Sequence, residues 1–240
     1  MRKLLSAVAD VWLGIIQSMP GPVGCRLRYR YWRGRLKHLG AGTRIDCGVY
    51  FQKPRWISIG ANCWIDRGVM ILAGPDDTSR QRRTIEMRSL ARKGEVKIGD
   101  NVHIGPYSII SGIDSGVFIG DDSGFAAGVR VYAFSHHYRF DDRPGDSTCA
   151  FGSNAAPERQ SMIIGPITLE RNVGVALGAI LLPGVWIGAD SFVCNRASVL
   201  GGSFSDNSLI AGAPARRVAP RFTGRAIVLE AEPHESAQTD

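Results

Sequence analysis

Between residues 131 and 144 the chain reads VYAFSHHYRFDDRP, two adjacent histidines followed closely by two aspartates and a proline. An imidazole with an ordinary pKa of about 6.5 exchanges protons at neutral pH, so His136 and His137 are candidates for general acid–base chemistry. Asp141 and Asp142 stand near enough in sequence to orient an imidazole, although ordinary loop solvation is the simpler account of each. A zinc site of three histidines would have to draw on His103, His136 and His137. Adjacent histidines rarely converge on one ion with imidazole geometry, so no metal is expected. Cys25, Cys47, Cys63, Cys149 and Cys194 are scattered, with no Cys-x-x-Cys spacing, and read as buried, reduced thiols of a cytoplasmic protein.

The elements that must hold these histidines follow from a repeat on both sides of them. An aliphatic or aromatic residue recurs every sixth position: Leu39, Ile45, Phe51; Ile59, Ile65, Ile71; Ile98, Ile104, Ile110; Ile119, Phe125, Val131; Leu169, Val175, Leu181; Ile187, Val193, Val199. A helix requires apolar spacings of three and four, and an alternating strand a spacing of two, so neither explains strict sixes. Three sixes describe one coil of a three-sided tube with one inward residue per side. Small residues follow the apolar ones at Gly60, Asp66, Gly99, Gly105, Gly120 and Gly188, as tight corners require. The pattern resembles the hexapeptide-repeat proteins, and the resemblance implies an all-β fold, a left-handed parallel β-helix over residues 39–215 with capped ends. Residues 72–95 and 132–162 break the hexad as protruding insertions, and loops on a rigid scaffold often carry function.

The segment 1–38 differs in kind. Residues 1–40 contain eight of the 29 Lys and Arg but one of the 22 Asp and Glu, so the remaining residues carry 21 of each and sum to zero. The basic character belongs to this segment alone. Leu4, Val8, Val11, Trp12 and Ile15 recur at helical spacing and predict an amphipathic helix, followed by the basic, aromatic tract RLRYRYWRGRLKH. Asp10 interrupts the apolar run and no small-residue cleavage site follows, which argues against a signal peptide. Two readings fit the segment, a helical cap on the end of the tube and a peripheral contact with the anionic inner face of a membrane, and they are compatible. No apolar run is long enough to span a bilayer, and no groove-reading or base-stacking element suggests nucleic acid.

Three further segments resemble one branch of the hexapeptide class, the maltose, galactoside and polysaccharide O-acetyltransferases. They are SHHYRFDDRP at 135–144, GPITLERNVGVALGAILLPGVWIG at 165–188 and AGAPARRV at 211–218. The resemblance implies an acetyl-CoA-dependent transfer to a sugar or surface-polysaccharide precursor in a homotrimer, by direct transfer without a covalent enzyme intermediate. It places the catalytic base at His136. Coenzyme A would meet Ala176, Gly178, Ala197, Gly212, Pro214, Arg216 and Arg217, where small residues admit the pantetheine arm and arginines suit phosphates. The acceptor would meet Gly128, His137 and Tyr138, and residues 216–240 would form a C-terminal tail or cap. The chain departs from the branch pattern at Gly128, Gly174 and Leu200. These departures motivate an alternative, a non-catalytic assembly or glycan-binding protein, and an N-acetyltransferase on an amino sugar is a close variant.

Overall fold

A computed structural model describes residues 11–223. Short strands form three walls of seven, eight and six strands, all parallel except the last strand of the wall of eight, and within the coils successive strands lie on successive walls. This is the left-handed parallel β-helix that the resemblance implies. All eighteen hexad residues named above are buried. Leu39, Ile59, Ile98, Ile119, Leu169 and Ile187 lie in register on one wall. Ile45, Ile65, Ile104, Phe125, Val175 and Val193 lie on the second, and Phe51, Ile71, Ile110, Val131, Leu181 and Val199 on the third. Each residue therefore stacks on its equivalent one coil away, and burying each such side chain contributes about 1.5–3 kcal/mol.

The corners obey two distinct constraints. A left-handed column runs through Asn62, Asn101, Asp122, Asn172 and Asp190, with φ between 55° and 59°, a region that Asn and Asp tolerate better than other side chains. At Gly60, Gly99, Gly120 and Gly188 the reason is close approach instead. A Cβ on any of them would collide with the backbone or a carboxylate of the next coil.

Two helices form the N-terminal cap. Residues 11–18 form a helix (α1), and Gly21–Arg33 a second (α2). Of the two readings the spacing left open for this face, the structure leaves it in solvent: Val11, Trp12 and Ile15 are exposed, while Ile16 is buried. Leu4 and Val8 lie outside the described residues. Arg28, fully buried, fastens both helices to the first coil, donating from Nε to the Ile45 carbonyl (2.8 Å) and from Nη1 to the carbonyls of Ile16 (2.7 Å) and Met19 (2.6 Å). A second tie joins Lys37 Nζ to Glu95 at 2.6 Å. Glu95 itself is buried, which raises its pKa, but hydrogen bonds from Lys37 and the Arg92 backbone outweigh burial and hold it below the ordinary carboxylate value. At the other end, Ser208–Gly212 and Ala215–Pro220 pair as an antiparallel hairpin that continues one wall.

All five cysteines are unpaired, but the expectation of burial holds for Cys47 and Cys63 only, because Cys25, Cys149 and Cys194 are half-buried at the surface. No helix among the described residues is long and apolar enough to cross a membrane.

Candidate active site

The two insertions, separate in sequence, meet in space. Gln81–Thr84 of the first runs parallel to Ser161–Ile164 of the second, which pairs antiparallel with Phe134–His137. The result is a three-stranded arm leaving the tube, and the histidine pair lies on its edge strand. Side chains alternate along a strand, so His136 and His137 face opposite sides of this arm. They are not two ligands of one centre. Among the described residues no group of three His, Cys, Asp or Glu is placed to hold a metal ion.

His136 is half-buried. Its Nδ1 is enclosed without a hydrogen-bond partner, and its Nε2 lies 3.4 Å from Ser153 Oγ. The Phe151 ring sits against it, centroids 5.2 Å apart. Burial, with the nearby Arg80 guanidinium second, lowers its pKa below the ordinary histidine value. The geometry supplies the reason: an imidazolium would leave one enclosed N–H unsatisfied beside another cation. A neutral imidazole at neutral pH is the form that accepts a proton.

His137 is more deeply buried. Its Nδ1 lies 2.7 Å from the Arg139 carbonyl, an arrangement that assigns the proton to Nδ1 and leaves Nε2 as the lone-pair nitrogen. Asp141 Oδ1 is 3.8 Å from that Nδ1, too long for a hydrogen bond, and is 3.6 Å from Arg83. Asp142 lies 3.7 Å from Arg143. Neither aspartate orients His136. Tyr138 is exposed at the strand's end, with Arg139 over its ring.

The arm buries Met162, Ile164 and Phe140 and is also braced by charge. Arg82 Nε donates to Asp114 Oδ2 at 2.6 Å, and its other nitrogens donate to the carbonyls of Asp76 (2.6 Å), Thr78 (3.1 Å) and Arg80 (2.9 Å). Asp114 is buried and accepts the Asp76 amide as well. No hexad signal could reveal Arg80, Arg82, Asp114, Phe151 or Ser153, since they belong to the aperiodic insertions or a loop.

The residues expected to meet coenzyme A lie elsewhere on the chain. Ala176 lines a groove of ≈ 410 Å³ with His103, Gly124, Gly174, Phe192 and Asn195, and His136 is not among its lining residues. The groove exists because two consecutive outward positions are glycine: Gly124 and Gly174 are in register between His103 and Phe192. A Cβ on Gly124 would meet nothing within 4 Å, whereas one on Gly174 would meet the Phe192 ring at 2.6 Å. His103 Nε2 is 2.9 Å from Asp66 Oδ2. This outward column directly precedes the inward hexad column, so it was readable from the same period. Gly178 and Gly128 occupy left-handed corners, φ 64° and 71°. The Ala197 side chain is packed in the core, so only its backbone is available to a cofactor. Gly212, Pro214, Arg216 and Arg217 are exposed at the terminal hairpin, where Arg217 Nε donates to Ser208 Oγ at 3.0 Å.

No protein-family model matches the chain. Over 124 residues it is 32% identical to a protein of Escherichia coli strain K12 named "Putative lipopolysaccharide biosynthesis O-acetyl transferase WbbJ". The match covers 52% of this chain and 60% of that relative, so the chain spans about three fifths of its length. Among solved structures, AntD, an N-acyltransferase from Bacillus cereus in complex with dTDP and 3-hydroxybutyryl-CoA, superposes with a TM-score of 0.64 at 20% identity, over 81% of this chain and 88% of that one. The hexapeptide-repeat-containing acetyltransferase VCA0836 from Vibrio cholerae gives 0.52 at 21% identity, over 92% and 93%. The chain has the left-handed β-helix fold of these hexapeptide-repeat structures.

Proposed function

We propose that this chain is an acyltransferase that moves an acetyl group from acetyl-CoA to a hydroxyl of a sugar destined for a bacterial surface glycan, with His136 as general base. The observation that carries the reading is His136 itself, held on the braced arm with its basicity lowered by an enclosed Nδ1 and a neighbouring arginine. Neutral His136 takes the proton as the acceptor oxygen attacks the thioester carbonyl. The tetrahedral intermediate collapses with cleavage of the C–S bond, and the imidazolium returns the proton to the departing thiolate. The similarity to the E. coli protein supports a hydroxyl acceptor.

The pantetheine arm of the donor fits the groove that Ala176 lines, and Arg216 and Arg217 are the groups suited to its phosphates. Because His136 does not line that groove, a homotrimer in which one subunit's arm reaches the neighbour's groove is part of the proposal.

His137 is the second reading, favoured by its fixed Nδ1–H donation to the Arg139 carbonyl. Single His136→Asn and His137→Asn variants separate the two. Loss of roughly 10²–10⁴-fold in turnover with His136→Asn, at unchanged melting temperature and coenzyme A affinity, is expected. The same loss confined to His137→Asn would transfer the role. A product whose acetyl group survives mild base is an amide, and would convert the acceptor from hydroxyl to amine.

A further inference from the structure

The cap leaves large apolar side chains in water although it is firmly held. Val11, Trp12 and Ile15 are 65%, 51% and 49% exposed, and they form one ridge of α1, since Ile15 is four residues after Val11 and three after Trp12. Val23, at the start of α2, is 61% exposed. The ridge is not a loosely docked helix awaiting a core: Ile16 is buried, Gln17 Nε2 donates to the Val49 carbonyl at 2.8 Å, and Arg28 fastens both helices to the first coil. The turn that seats α1 is the one that aims Trp12 outward.

The same cap carries Arg26, Arg30 and Arg33 on α2 at spacings of four and three, one stripe of the helix, all exposed. None of the three has an ion-pair or hydrogen-bond partner among the described residues. Arg26 and Arg30 also edge a mainly apolar cavity of ≈ 380 Å³, shared with Tyr29, Cys25 and Arg44. An apolar ridge and a free cationic stripe on one rigid cap fit a surface that is both apolar and negatively charged. A second copy of this chain offers no excess of negative charge, because its cap is likewise positive and residues 41–240 carry no net charge.

We propose that the cap docks on an anionic lipid bilayer, with Trp12 and Ile15 entering the interface and Arg26, Arg30 and Arg33 against the headgroups. Each arginine near such a surface strengthens partitioning roughly fivefold, and the gain is screened by salt. The proposal is independent of the acyl-transfer reading and uses no residue of that site.

The test is co-sedimentation of the full chain with phosphatidylcholine vesicles, with and without phosphatidylglycerol. Binding only to vesicles containing phosphatidylglycerol is expected, weakening steadily as salt rises. Trp12→Glu with Ile15→Glu, and separately Arg26→Glu with Arg30→Glu, should each reduce binding at least tenfold while the sedimentation coefficient in solution stays the same. Equal binding to both vesicle types, no binding to either, or no response to the variants overturns the proposal. So does a change of oligomeric state in the Trp12 and Ile15 variant, which would make the ridge a subunit contact. Should a variant fail to fold, the salt dependence of the wild-type chain decides, since a salt-insensitive interaction is incompatible with the arginine stripe.

Discussion

In the tube, residue faces like residue: Ile104 lies between Ile65 and Phe125 in register, and all three are buried. In the arm the corresponding rows read Arg82, Met162, His136 and Gln81, Ser161, His137. The tube is stabilised by repeating one apolar contact coil after coil. The arm is fixed by single, non-repeated interactions, above all the Arg82 guanidinium gathering Asp114 and the carbonyls of three neighbours. The comparison teaches that this chain separates stability from chemistry. Its periodic part supplies a rigid frame, and its aperiodic part supplies polar groups whose positions depend on one another.

The sharpest way to break that comparison is to damage the tube. Ile104→Ala should cost about 2–5 kcal/mol in urea unfolding, as expected for a fully buried side chain with stacked neighbours. A loss below about 1 kcal/mol would mean that stacking is not what holds the coils.

Damage to the arm should register differently. Arg82→Met leaves the buried Asp114 carboxylate without its cation, at a cost of about 1–3 kcal/mol that is felt mainly within the arm. Hydrogen exchange at 81–84 and 134–137 should quicken while amides of the tube stay protected, and turnover should fall. Equal loosening of both regions would deny their independence.

A gentler probe is pH. The His136 pKa is lowered, so neutral imidazole predominates above that value and acyl transfer should decline only as pH falls below the ordinary histidine value of about 6.5. Arg80→Met removes the smaller of the two causes, and should move the acidic limb of the rate profile upward by less than the full depression.

The smallest effect concerns the tie between cap and tube. Glu95 has a depressed folded pKa, so its contribution is complete above the unfolded value of roughly 4.3 and is lost as pH falls through the lower folded value. Glu95→Gln should therefore lower stability by no more than about 1 kcal/mol at neutral pH, because Lys37 is well exposed. The difference from the wild-type chain should vanish in acid; if it persists there, the Lys37 contact is not electrostatic.

Legibility followed periodicity. The hexads marked one inward column on each wall, because burial in a stacked coil constrains residue type at each sixth position, but not the buried Ile57, Val96, Val117, Ile167 and Val185 two positions earlier on the first wall. The groove between His103 and Phe192 was written in the adjacent column, as Gly124 and Gly174, but a missing side chain is a quieter signal than a present one. The direction of the α1 ridge was not legible, because spacing shows that Val11, Trp12 and Ile15 share a ridge and not which way it points. The Arg28 hydrogen bonds set that direction, and they join groups 9 to 17 residues apart. Likewise, the histidine doublet was visible as a motif, while its division between two faces depended on a strand pairing across the second insertion.

The sequence alone determined the coil, its period, the inward columns and the concentration of positive charge in the first 40 residues, because each is a local rule repeated or a sum over composition. Tertiary structure decided that the two insertions form one arm, that His136 and His137 face opposite sides of it, and that Trp12 faces outward. Those outcomes rest on contacts made once between distant segments, and a contact made once leaves no period to read.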